Sequence, residues 1–219
     1  MIDVGTWDLT IPEGTPAITI TTSQLKKGYQ SKYFRNDGTQ IEFWAPVTGT
    51  STQGSTYPRS ELRETYSFGF KRNWKYTAAN NQMAARLAVD AVPSSGKIII
   101  GQIHAADHPH PYLKVVYSYV REVGYVTVEI RAKPTDSKSP TVLTYPSMPL
   151  GHDFTYDVNL SKTGLLTTKI NGLTHQEQID PAWGKLYMYF KAGAYVIDNE
   201  GPVTEGGRVT FQELKARHY

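Results

Sequence analysis

No stretch of this chain sustains a period of 3.6 residues, yet short runs of alternating apolar and polar residues recur along nearly all of it. Alternation of period two sends successive side chains to opposite faces of an extended strand. Residues 41–45, 82–92, 97–104, 113–120, 125–132, 154–160, 165–170, 174–178, 187–197 and 208–216 all read this way. Residues 7–20 are β-rich but broken by prolines, which suits one or two short strands near a sheet edge. Asn171-Gly172 is a tight-turn signal between two of the runs. Only residues 181–184 read as a helical turn. Many short strands separated by Gly, Pro and Asn predict an all-β fold, a sandwich or jelly roll of two antiparallel sheets. Residues 105–111 and 133–141 read as loops.

At 219 residues, a single domain spanning 1–219 is expected, with enough chain for a substantial core. The chain has no cysteine, so disulfides, thiolate metal sites and a cysteine nucleophile are excluded. No run approaches the length of a membrane span. The first residues carry neither the basic nor the apolar region of a signal peptide. A net charge of +3 is compatible with a polyanionic partner and equally with a mildly basic surface.

The run Tyr-Met-Tyr-Phe-Lys-Ala-Gly-Ala-Tyr at 187–195 splits by parity into two unlike faces. Met188, Phe190, Ala192 and Ala194 form an apolar face suited to a core. Tyr187, Tyr189, Lys191, Gly193 and Tyr195 form the other, with a glycine that admits a close approach. Such a strand points to a sheet whose outer surface is a binding cleft.

Residues 57–64 read Tyr-Pro-Arg-Ser-Glu-Leu-Arg-Glu, so a strand here lines up Arg59, Glu61 and Arg63 on one face. Fixed guanidinium groups suit bidentate recognition of carboxylates. Taken alone, the row reads as a solvated ladder of surface ion pairs. Gln102 and His104 share a face, with Ile103 turned the other way. Alone they read as a strand running into a loop. The spacing of His104, Asp107, His108 and His110 raises a metal site, but Pro109 and Pro111 break any helix that would align the histidines, and no metal is expected.

Together and in order, Arg-Ser-Glu-Leu-Arg, Gln-Ile-His and Tyr-Phe-Lys-Ala-Gly-Ala-Tyr resemble the three signature blocks of polysaccharide lyase family 7, the alginate lyases. Residues 6–12, 98–101, 199–202 and 205–208 extend the resemblance to the compact bacterial members over nearly the whole chain. The resemblance implies a β-jelly roll with a substrate cleft on its concave sheet. It implies β-elimination of alginate, a polymer of mannuronate and guluronate, with no cofactor. The catalytic positions it implies are Arg59, Gln102, His104 and Tyr195. Glu61, Arg63 and Lys191 match residues lining the cleft; Lys114 and Tyr189 are further candidates for substrate binding, with Tyr187 open between sugar stacking and packing at the core rim. The third block usually ends with glutamine where this chain has Ile197, which removes one polar partner from the cleft.

Eliminating across C4–C5 of a uronate means removing a weakly acidic proton beside an ionised carboxylate. Arg59 and Gln102 are expected to neutralise that carboxylate and stabilise the enolate-like intermediate. His104 can donate or act as base, and Tyr195 can take and return a proton. A tyrosine of ordinary pKa, ~10, is a poor base at neutral pH, so neighbouring Arg59 and Lys191 are expected to favour its phenolate. Gln-Ile-His is associated in the family with guluronate-containing links, so a preference for guluronate-containing or mixed blocks is expected; cleavage is expected to be endolytic. The implied partner is alginate, with no nucleic acid or membrane, a monomeric enzyme, and a secreted or periplasmic location. Two alternatives stay open: a jelly-roll glycoside hydrolase, which needs two facing carboxylic acids, and a non-catalytic polyuronate-binding module. A lyase acting on another polyuronate is the nearest variant.

Overall fold

Alternation becomes two distinct surfaces once the strands pair, and in the computed structural model, which describes residues 2–219, they form two antiparallel sheets. One contains β1 (Trp7–Thr10), β2 (Thr19–Ile20), β5 (Arg59–Glu64), β7 (Lys97–Ala105), β8 (Leu113–Val120), β9 (Val123–Ile130), β10 (Thr141–Tyr145) and β14 (Met188–Val196). Its spatial order is β10-β9-β8-β7-β14-β5-β1-β2. The other contains β3 (Phe34–Asn36), β4 (Ile41–Pro46), β6 (Asn81–Ala91), β11 (Phe154–Leu160), β12 (Leu165–Ile170), β13 (Leu173–Gln178) and β15 (Gly206–His218), in the order β13-β12-β11-β6-β15-β4-β3. The short strand β2 lies at an edge, where the prolines around it cost no ladder bonds.

The sheets close on the inward halves of their strands. Met188, Phe190, Ala192, Ala194 and Val196 of β14 face the core, opposite Met83 and Leu87 of β6 and Val209 and Phe211 of β15. Phe43 lies edge-on to Phe34 at 5.5 Å and to Phe211 at 5.4 Å. Burying each such side chain contributes about 1.5–3 kcal/mol, far more than an exposed ion pair, so the inner faces hold the sandwich together. The β15 strand changes parity midway: a bulge between Phe211 and Glu213 turns Leu214 inward and leaves Glu213, Lys215 and Arg217 outside.

Several elements depart from the expected pattern. The loop expected over 133–141 ends where β10 begins, at Thr141, and β3 had no alternation long enough to declare it. A five-residue helix, α1 (Thr22–Lys26), is held by a capping box between Thr21 and Gln24, and at that length it shows no period. A 3-10 turn at Tyr76–Ala78 was likewise silent, whereas the turn expected near 181–184 is present at Pro181–Lys185. The β8–β9 hairpin turns on Arg121 and Glu122 themselves, at φ 51° and 63°. Neither is a glycine; the small residue is needed at Gly124, where a Cβ would lie 1.9 Å from the Met148 carbonyl oxygen.

Candidate active site

Strands β8, β7, β14 and β5 lie side by side, so every predicted site residue falls on four adjacent strands. Register sets their order. Lys191 of β14 pairs with Arg63 of β5 on one side and Gln102 of β7 on the other; Gln102 pairs with Lys114 of β8, and Arg63 with Asp8 of β1. Two positions along, Tyr189 pairs with His104; in the opposite direction Tyr195 pairs with Arg59.

The Arg59–Glu61–Arg63 row is not the solvated ladder that its pattern alone suggests. Arg59 and Arg63 are each 8% exposed and Glu61 is fully buried. The Glu61 carboxylate takes the Arg59 guanidinium at 3.1 Å, the Lys191 ammonium at 2.7 Å and the Gln102 side-chain amide at 2.7 Å. Burial works against ionising Glu61, but Lys191 and Arg59 outweigh it and hold the carboxyl below its ordinary range. Lys191 shares that one carboxylate with Arg59, so burial and the neighbouring guanidinium groups push its pKa down despite Glu61. Glu61 thus has no exposed surface of its own; it fixes Arg59, Lys191 and Gln102 in place.

Arg59 keeps capacity in reserve. Its Nη1 donates to Glu61 and its Nη2 to Ser55 Oγ at 3.0 Å, while Nε is buried without a partner. An unpaired buried donor is costly unless a ligand satisfies it. The guanidinium carbon sits 3.7 Å from the centre of the Tyr195 ring, whose hydroxyl is 3.1 Å from Ser55 Oγ. Arg63 is differently employed. It donates to the backbone carbonyls of Glu64 and Arg72 and to Asn73 Oδ1, and stacks 3.8 Å over the Tyr189 ring. These contacts brace Tyr189 and the chain after β5.

His104 Nδ1 lies 2.8 Å from the carbonyl oxygen of Ala105, an acceptor, so Nδ1 carries the hydrogen and Nε2 keeps its lone pair. Burial, with Lys191 adding to it, pushes the His104 pKa down to about 4. The ring is therefore neutral at neutral pH and stacks on Tyr189 at 5.5 Å. Tyr189 titrates above the ordinary range, because burial outweighs Arg63. Lys114 is half-buried, with its ammonium 3.8 Å from Glu129. Tyr187 precedes β14, is 52% exposed and lies under Lys75, so it is no part of the core rim.

One expectation is corrected. Lys191 was expected to support a Tyr195 phenolate; it is bound to Glu61, and the cation in contact with Tyr195 is Arg59. Gly193 was expected to admit a close approach, and it does. It sits in a β14 bulge at φ 150°, where a Cβ would lie 2.5 Å from Ser60 O and 2.8 Å from Glu61 Cα, so what approaches it is the neighbouring strand. Residues 106–111 form a loop in which His108 contacts the His110 backbone and packs against Trp183. Among the described residues no three of His, Asp and Glu converge as metal ligands. Sequence reasoning missed Ser55, because nothing in a polar loop distinguishes one serine from its neighbours.

Comparison with known proteins identifies the family that has this fold. The family model described as alginate lyase matches residues 2–218. An alginate lyase of Pseudomonas aeruginosa of known crystal structure is 44% identical, superposes with a TM-score of 0.96, and is matched over 99% of this chain and 100% of that one. Alginate lyase A1-II′, a member of polysaccharide lyase family 7, is 30% identical with a TM-score of 0.87, over 99% of this chain and 96% of its own. Variants of A1-II′ have been solved with the product GGG and the substrate GGMG. A curated alginate lyase of Klebsiella pneumoniae is 26% identical over 97% of this chain and 88% of its own length. The chain belongs to the alginate lyases of polysaccharide lyase family 7, jelly-roll enzymes that act by β-elimination.

Proposed function

We propose that a single copy of this chain lays alginate across the outer face of the eight-stranded sheet and cuts within the polymer, favouring guluronate-containing or mixed blocks. The row from Asp8 to Lys114 crosses five strands, about 19 Å at the usual strand spacing, long enough to meet several sugars at once. The oligosaccharide complexes of A1-II′ support alginate as the substrate. Lys114 and Tyr189 contact neighbouring sugars, while Glu61 and Arg63 hold the contacting groups in position.

The observation that carries the reading is a neutral His104 with a free Nε2 on the same face as Tyr195 and the partly unsatisfied Arg59. Arg59 and the second amide hydrogen of Gln102 meet the uronate carboxylate and stabilise the charge that grows on it. In guluronate the C5 hydrogen and the leaving oxygen lie on opposite sides of the ring. His104 Nε2 takes the C5 proton, the freed electron pair forms the C4–C5 double bond, and the C4–O bond breaks. Tyr195 gives its hydroxyl proton to the departing oxygen. In mannuronate the two lie on one side, and Tyr195 serves both steps as base and then acid. Ile103 is fully buried beneath Gln102 and His104, so its effect on preference runs through their position.

Initial rates on separated polyguluronate and polymannuronate, followed by the ultraviolet absorbance of the conjugated double bond, test this. The wild type is expected to favour polyguluronate, and His104→Asn to lose that activity preferentially. A preference for polymannuronate, or equal loss of both activities, contradicts the division of labour.

A further inference from the structure

Ser55 stands four residues before Arg59, in a loop closed by the Ser51–Pro58 bridge and by its own amide donating to the Thr52 carbonyl at 3.0 Å. Its hydroxyl meets two site residues at once: Arg59 Nη2 at 3.0 Å and the Tyr195 hydroxyl at 3.1 Å. We infer that Ser55 is a positioning residue for the elimination, holding Tyr195 through its hydroxyl and stabilising the phenolate that Tyr195 forms when it gives up its proton.

A guanidinium has donors only, so Arg59 donates to Ser55 and occupies one of its two lone pairs. The single Ser55 hydrogen remains, and the Tyr195 oxygen is the other partner in reach. While Tyr195 is protonated, the Ser55–Tyr195 bond can run either way. Once Tyr195 has released its proton it can only accept, and Ser55 must donate. The bond from Arg59 polarises the Ser55 O–H and strengthens that donation. A phenolate would thus have Arg59 over its ring and, at its oxygen, a hydroxyl polarised by the same guanidinium. The surroundings leave few other charges to do this. Arg59 from β5 touches the ring; Glu61 on β5 and Lys191 on Tyr195's own strand are engaged with each other; and β7 presents Ile99 opposite. Neither the charge pattern nor the signature blocks singled out Ser55.

The inference rests on Tyr195 as the proton carrier, and the test separates the two. Ser55→Ala is expected to lower kcat on the order of tenfold, the worth of one charge-assisted hydrogen bond, with KM within about twofold. Ser55→Thr, which keeps a hydroxyl, is expected to recover most of the loss. Tyr195 ionisation, read as the ultraviolet difference between each enzyme and its Tyr195→Phe counterpart, is expected to move about one pH unit upward in Ser55→Ala. An unmoved titration, or equal kcat losses in Ser55→Ala and Ser55→Thr, overturns the role of Ser55. Near-normal turnover by Tyr195→Phe overturns the reading of Tyr195 and takes this role with it.

Discussion

Strand β5 carries Arg59, Glu61 and Arg63 at alternate positions, and β15 carries Glu213, Lys215 and Arg217 in the same way. As patterns they are equivalent; as surfaces they are opposites. On β15, Glu213 has a side chain 70% exposed and meets an Arg86 that is itself 42% exposed. On β5, the side chains of Arg59 and Glu61 are 9% and 0% exposed. The difference comes from the neighbours. Strand β14 brings Tyr189 and Tyr195 flat against the β5 arginines and sets Lys191 on the carboxylate. Among the described residues nothing comparable covers the Glu213, Lys215 and Arg217 row of β15. A charge row leaves water when aromatic residues and loops distant in the sequence cover it.

The sharpest test of that contrast is to neutralise one carboxylate in each row. Glu61→Gln leaves Arg59 and Lys191 buried without their counter-ion and is expected to cost about 3–5 kcal/mol of stability, as breaking a buried pair does. Glu213→Gln is expected to cost no more than about 0.5 kcal/mol. Denaturant unfolding of both variants decides it, and equal effects would erase the distinction between the faces. A second pair reads activity. Arg59→Lys keeps the charge but loses the planar fork, so turnover is expected to fall on the order of a hundredfold or more. Arg217→Lys is expected to leave rates unchanged.

A smaller effect is in pH. The folded-state pKa of His104 lies below that of the unfolded chain, at about 4 rather than 6.5. The unfolded chain therefore takes up a proton first as pH falls. The contribution of neutral His104 is complete above about 6.5 and is lost as pH drops through about 4. His104→Asn is expected to flatten the stability profile across that window, with no change from substituting the exposed His152. The same depressed value means that the acid limb of kcat/KM should show no histidine titration near 6.5; such a limb would contradict the neutral, base-ready ring.

The legible and illegible parts of the molecule divide along the range of the interactions. Asn171-Gly172 announced its hairpin because the signal is local, and the parity of β14 announced its core face because period two survives in any antiparallel sheet. Helix α1 is held by one capping box across three residues, too little to leave a period. The burial of β5 was illegible because its cover arrives from β14, more than a hundred residues later in the chain. Gly193 and the parity change in β15 depend on bulges, which shift pairing without marking the sequence. The residues of the candidate site were legible as an ordered set of blocks, but not their contacts: Glu61 as hub, Arg63 as brace and Ser55 as the contact between Arg59 and Tyr195 follow only from geometry.

In the mechanism proposed above, the outer face of the eight-stranded sheet moves a proton through the Tyr195 hydroxyl. Replacing Tyr195 by Phe removes that oxygen and keeps the ring under Arg59. The measurement is the initial rate of double-bond formation on alginate, with thermal unfolding and binding of an oligouronate recorded on the same preparation. Turnover is expected to be lost, with unfolding and binding unchanged. Near-normal turnover in a variant that folds and binds as the wild type does would contradict that mechanism.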